Sequence, residues 1–150
     1  MKKIGEYTAR GRTDEPTVSD GQRIILFDGR FDTGYKVVEF KIWSSDYGTA
    51  ADPDVIGKLT TVQSGNNNAD GFMDASNNTE IAWAGGSGNA ESLLDIPSIV
   101  DPDNLVIEDL FIHARGQTAG VPINYYIRME KYEFSDSVGA LAMVRNRSQA

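Results

Sequence analysis

Short runs in which apolar and polar residues alternate, each cut off by Gly, Asn, Asp or Pro, recur along the whole of this 150-residue chain. A period of two places successive side chains on opposite faces of an extended backbone, and the punctuating residues are those that turn a chain tightly. The pattern leaves no room for long helices. The runs are Ile4 to Arg12, Arg23 to Phe27, Tyr35 to Ser45, Val55 to Val62, Ile81 to Ala84, Leu105 to Arg115 and Val121 to Phe134. Glu91 to Val100 reads either as one helical turn or as an extended edge, because Pro97 forbids a long helix. About eight strands at this spacing predict an all-β chain, one domain over 1–150. An antiparallel β-sandwich of jelly-roll type is the natural closure, since two packed sheets hide most strand edges.

Individual runs carry finer expectations. Arg23 to Phe27 is apolar on both faces, as a central strand would be. In Tyr35 to Ser45, Val38, Phe40 and Ile42 point one way and Glu39 and Lys41 the other, with Trp43 placed to cover an edge or face a neighbour. In Leu105 to Arg115, Val106, Leu110 and Ile112 mark one face and Ile107, Phe111 and His113 the other. Ile123, Tyr125, Ile127 and Met129 alternate with Asn124, Tyr126, Arg128 and Glu130 in the longest run. The tail changes period: Ser135, Asp136 and Ser137 offer N-caps, and Val138, Leu141, Ala142 and Arg145 fall at helical spacing, predicting a short C-terminal helix. The runs 1–13 and 135–150 are too small to bury their apolar residues alone. They are expected to contact other subunits, or else to dock on their own sandwich.

Composition narrows the chemistry. Without cysteine there are no disulfides, thiolate nucleophiles or thiolate metal sites, which fits folding in a reducing cytosol. A net charge of −8 argues against direct nucleic-acid binding, which needs Lys and Arg to replace counterions. No apolar stretch follows the charged start, and none reaches membrane-spanning length, so neither a cleaved leader nor a membrane partner is expected. The middle of the chain is acidic, while Arg145-Asn146-Arg147 is basic.

No residue is assigned a catalytic, cofactor-binding or metal-ligating role, and no enzyme activity is expected. The single histidine, His113, lies mid-strand with no Gly-x-Ser-x-Gly elbow in the chain. Gly85-Gly86-Ser87-Gly88 lacks the ending of a phosphate-binding loop and reads as a flexible turn. Glu108 and Asp109 are adjacent and so face opposite ways on a strand. Calcium is the one cation with a claim. Asn66, Asn68, Asp70 and Gly71 mimic half of an EF-hand loop, but Asn77 stands where the bidentate Glu belongs. Asp52-Pro53-Asp54 and Asp101-Pro102-Asp103-Asn104 add clustered oxygens that also read as ordinary turns. Trp43, Trp83, Tyr125, Tyr126 and Tyr132 could form platforms for a sugar, or pack in a core or between subunits.

The segments Ile25 to Tyr35, Asp101 to Leu105, Asn124 to Tyr126 and Gly139 to Arg147 resemble a group of small proteins from marine bacteriophages. The resemblance implies a virion component, made in the host cytoplasm, and carries no residue role. On it rests the expectation of a capsid shell or decoration protein. Such a protein packs as a homo-oligomer and against other virion proteins such as the major capsid protein. The alternative is a carbohydrate- or host-receptor-binding module of a phage attachment structure.

Overall fold

The computed structural model describes residues 1–13, 21–45, 54–63, 72–86, 98–116, 122–135 and 138–142. Eight strands are formed among them: β1 (Lys2–Thr13), β2 (Gln22–Ile24), β3 (Thr33–Ser44), β4 (Val55–Thr60), β5 (Glu80–Gly86), β6 (Ile99–Val100), β7 (Leu110–Gly116) and β8 (Ile123–Glu133). They make two antiparallel sheets, one in the order β1-β8-β3 and one in the order β2-β7-β4-β5-β6. The pairing is nested: β1 takes β8, β2 takes β7, and β4 takes β5. That is the wrapped double ribbon of a jelly roll. The departure is β6, which pairs with β5 instead of β3. Just before β6, the Ser98 hydroxyl donates to the Phe40 carbonyl of β3, so the two elements remain neighbours.

Alternation decides which face each strand buries. Val37, Phe40 and Ile42 of β3 and Ile123, Tyr125, Ile127 and Met129 of β8 form one wall of the core. Leu59, Ala82, Ala84, Leu110, Ile112 and Ala114 form the other. Ala82 and Ala84 of β5 and Ala114 of β7 leave room in the same core for the bulky side chains of β3 and β8. Ile24, Val55, Ile81 and Val106 complete this core. Leu105, Ile107 and Phe134 make a smaller cluster at one end.

Three readings from the sequence need correction. Val38 does not point inward with Phe40 and Ile42. The register shifts between Val37 and Glu39, so Val38 is the extra residue of a bulge, Val37 takes the inner place opposite Met129, and Val38 is exposed. Arg23 to Phe27 is not a central strand. Only Gln22–Ile24 pairs, at a sheet edge, and Ile25 and Phe27 are exposed. The reason is Asp109, whose Oδ1 accepts the Leu26 and Phe27 amides at 2.9 and 3.2 Å while its Oδ2 accepts Arg23 Nε at 2.6 Å. Burial pushes the Asp109 carboxyl up, but these donors hold it below the usual carboxylate range. Leu105 to Arg115 is likewise not one strand. Its first part makes only an isolated bridge, Val106 to Tyr35, and β7 begins at Leu110. Residues 138–142 are helical, and the Ser135 carbonyl accepts the Gly139 amide at 3.1 Å. The turns at 64–71 and 87–88, the bulk of the run 91–100 and the basic tail from 143 lie outside the described residues. Among the described residues no helix is long and apolar enough to cross a membrane.

Candidate functional site

Residues that could do chemistry gather on the two outer faces of the sandwich, and the two faces are built differently. On β1, Arg10 and Arg12 alternate with Gly11, so both side chains share one face. Register places Arg12 and Trp43 on either side of Asn124, and Arg10 and Lys41 on either side of Tyr126. Their neighbours Tyr125 and Ile42 point the other way, into the core. Arg12, Asn124, Trp43, Arg10, Tyr126 and Lys41 therefore form two rows on the outer face of the three-stranded sheet. A depression of about 420 Å³ opens here, lined by Arg10, Gly11, Arg12, Trp43, Asn124, Tyr125 and Tyr126. Trp43 is 42% exposed. Gly11 is required by close approach: a Cβ there would lie 2.7 Å from the Tyr125 hydroxyl oxygen.

Farther along this face the cations are engaged: Lys36, beside Glu130 in the register, lies 5.3 Å from the Tyr132 ring, and three others are paired with glutamates. Arg128 Nη2 meets Glu6 at 3.0 Å, Lys41 Nζ meets Glu39 at 2.9 Å, and Lys3 Nζ meets both Glu6 and Glu130 at 2.7 and 2.5 Å. Hydrogen bonds from Lys3 and Arg128 draw the Glu6 carboxyl down, and those from Lys3 and Tyr132 do the same for Glu130. Arg10 and Arg12 have no ion-pair partner among the described residues.

The outer face of the five-stranded sheet is covered. Lys58 lies opposite His113 on β7 and Trp83 on β5, on the side away from the core, yet Lys58 and His113 are fully buried. Phe72, also buried, sits on Lys58, its ring 4.6 Å from Lys58 Nζ and its carbonyl accepting that ammonium at 2.6 Å. Glu80, 3.5 Å from Lys58, accepts the Asp74 amide and Trp83 Nε1, each at 3.0 Å. Thr60 Oγ1 is 3.1 Å from His113 Nε2. Gly21 closes over the imidazole with φ of 69°, and a Cβ at Gly21 would stand 2.8 Å from the ring. Burial pushes the Lys58 ammonium below the ordinary lysine range, against the pull of Glu80. Among the described residues, His113 has Lys58 beside it on β4, Thr60 Oγ1 at Nε2 and the Gly21 backbone against its ring.

The five candidate aromatics part company. Trp43 and Tyr126 come together. Tyr125 is in the core, Trp83 is tied to Glu80 on the other sheet, and Tyr132 lies on the same face as Tyr126 but six residues along β8, about 20 Å away. Sequence reasoning missed Arg10, Arg12 and Lys58. The alternation Arg10-Gly11-Arg12 signals a shared face for the first two; the burial of Lys58 has no local signal. The loop acids are engaged in turns. Asp101 accepts the Asp103 amide at 3.1 Å and Asn104 Nδ2 at 2.5 Å, Asp74 accepts Ser76 through amide and hydroxyl, and Asn77 accepts Thr79. Asn66, Asn68, Asp70, Gly71, Asp52 and Pro53 lie outside the described residues. Comparison with known protein families, characterised proteins and solved structures finds no match to this chain.

Proposed function

We propose that the chain is a non-enzymatic structural protein of a bacteriophage virion, a shell or decoration subunit that acts by packing against copies of itself and against other virion proteins. The observation that carries this reading is β1. It pairs with β8 along its length, and its other edge is open among the described residues over a strand of 12 residues. Among the described residues the other sheet edges are short or partly met: β2 has three residues, β6 has two, and β3 is bridged at Tyr35 by Val106 and bonded at Phe40 by Ser98. Long open edges invite strand pairing with another chain, and proteins that stay monomeric usually block them. Ile4 and Tyr7 are exposed on β1, and Val138 and Leu141 at the other end of the chain, where they line a groove of about 260 Å³ with Met1 and Leu105. Both terminal segments thus offer apolar area that association would bury. The jelly-roll order supports the reading as fold-level analogy alone.

The test is size-exclusion chromatography with light scattering on the full chain. An oligomer is expected. N–H groups alternate between the two edges of a strand, so one of Thr8→Pro and Ala9→Pro removes an outward donor while sparing the ladder to β8. That variant should stay folded and dissociate. A monodisperse monomer at high micromolar concentration overturns the proposal.

A second reading, recognition of carbohydrate, is favoured by one specific observation: the depression that brings Trp43, Tyr126, Asn124 and two arginines together on an exposed sheet face. Amphipathic aromatics beside amide and guanidinium donors suit a sugar ring, which has an apolar face and a polar rim.

A further inference from the structure

We infer that the depression on the outer face of the three-stranded sheet is selective for an acidic sugar, one bearing a carboxylate or a sulfate. This rests on the carbohydrate reading and narrows it to a ligand class. Arg10 and Arg12, two residues apart on β1, have Cα atoms about 7 Å apart, and Trp43 lies two strand spacings from Arg12, about 10 Å away. The patch is thus the size of one or two pyranose rings. Trp43 and Tyr126 supply apolar planes for the ring face. Asn124, between Arg12 and Trp43, offers both a donor pair and an acceptor to hydroxyls.

The charge decides the class. The chain carries a net −8, and the neighbouring cations on this face, Arg128, Lys3 and Lys41, are each matched by a glutamate. Arg10 and Arg12 are not matched among the described residues. Two guanidinium forks converging on a depression with aromatic walls fit a planar carboxylate or a sulfate bidentately. A neutral sugar could accept their N–H donors but would leave both charges uncompensated. Single-stranded nucleic acid also stacks on aromatics, but it needs cations along a track of successive phosphates. Beyond Arg10 this face carries Glu6, Glu39 and Glu130 paired with Lys3, Arg128 and Lys41, so it offers no continuous track of free cations.

Titration of the isotope-labelled full chain, followed by NMR at the Trp43 indole and the Arg10 and Arg12 Nε–H groups, tests this. The probes are an alginate hexasaccharide, a chondroitin sulfate hexasaccharide, maltohexaose and a ten-residue oligo-dT. An acidic hexasaccharide should shift Trp43, Asn124 and Tyr126 at least tenfold more tightly than maltohexaose. Arg12→Ala and Arg10→Ala should each weaken it about tenfold, Arg12→Lys less, and Trp43→Ala beyond detection, with unchanged amide spectra elsewhere; Trp43→Phe serves if Trp43→Ala loses the fold. Equal binding of maltohexaose overturns the acidic selectivity and leaves the carbohydrate reading standing. Binding of oligo-dT alone, or of no probe at all, overturns both.

Discussion

The two outer faces of this sandwich start from similar material and end in opposite states. Each carries cations, acids and aromatics on alternating positions of antiparallel strands. On the three-stranded sheet these remain in water, and Arg10, Arg12 and Trp43 are available to a partner. On the five-stranded sheet, Phe72 and its neighbours fold over Lys58, His113 and Glu80 and take them out of water. The difference teaches that position on an outer face does not make a polar residue functional. What decides is whether the chain supplies its own partners. Phe72, Asp74 and Trp83 supply them for Lys58 and Glu80, so the cluster is spent on structure. Nothing among the described residues pairs with Arg10 and Arg12.

The largest expected effect breaks the covered face. Glu80→Ala leaves the Lys58 ammonium buried without its carboxylate and strands the Asp74 amide and Trp83 Nε1. Removing one partner of a buried ion pair costs about 3–5 kcal/mol. Urea unfolding monitored by fluorescence should show that loss against the wild type. Replacing both partners, Lys58→Met with Glu80→Leu, should recover only the part due to the buried charge, because the Asp74 amide and Trp83 Nε1 still lack their acceptor. If Glu80→Ala cost less than about 1 kcal/mol, the cover would be open in solution and the contrast between the faces would fail.

A middle case is the Asp28–Lys131 pair, at 2.9 Å, where the segment before β3 folds onto the end of the three-stranded sheet beside Tyr7 and Tyr35. Burial pushes the Asp28 carboxyl up, but Lys131, the Thr33 hydroxyl and the Arg30 amide together bring it from 3.8 down to about 2. The folded state holds this group below its unfolded value. Its stabilisation is therefore complete above about pH 5 and lost as the pH falls through about 2, and not at neutral pH. Solvent screening at this exposed residue reduces the contribution to about 1 kcal/mol. Thermal melts of wild type and Asp28→Asn should differ at pH 6 and converge near pH 2. A difference that persists at pH 2 would assign the effect to hydrogen bonding instead of charge.

The contrast also explains what could be read from the sequence. Periodicity located the main strands, and the inward set Ile123, Tyr125, Ile127 and Met129 follows from it directly, as does the two-sheet closure. Three features did not follow, each for a physical reason. The bulge at Val38 reverses the side-chain phase in the middle of an unbroken apolar run, and nothing local marks it. The truncation of β2 is imposed by Asp109, which is 83 positions from Leu26. The burial of Lys58 is imposed by Phe72, 14 positions along the chain, a contact that alternation does not specify. For the candidate site, Trp43 and Tyr126 were legible among five candidate platform aromatics, while Arg10 and Arg12 were missed although their alternation around Gly11 marks a shared face. Their convergence depends on the register of β1 and β3 against β8, which is non-local.

The smallest expected effect sharpens the comparison from the open side. The side chains of Arg12 and Trp43 make no hydrogen bond or ion pair among the described residues, and surface substitutions away from caps, cores and networks are usually within about 0.5 kcal/mol. Arg12→Ala should therefore leave the urea midpoint within that margin. Removing a cation from a patch with no opposing acid even relieves a little repulsion between Arg10 and Arg12, so a slight stabilisation is the expected sign at low salt, fading as salt rises. A loss above about 1 kcal/mol for Arg12→Ala would mean that the chain itself uses this arginine. The outer face of the three-stranded sheet would then be a second structural face, and its claim to a ligand would lapse.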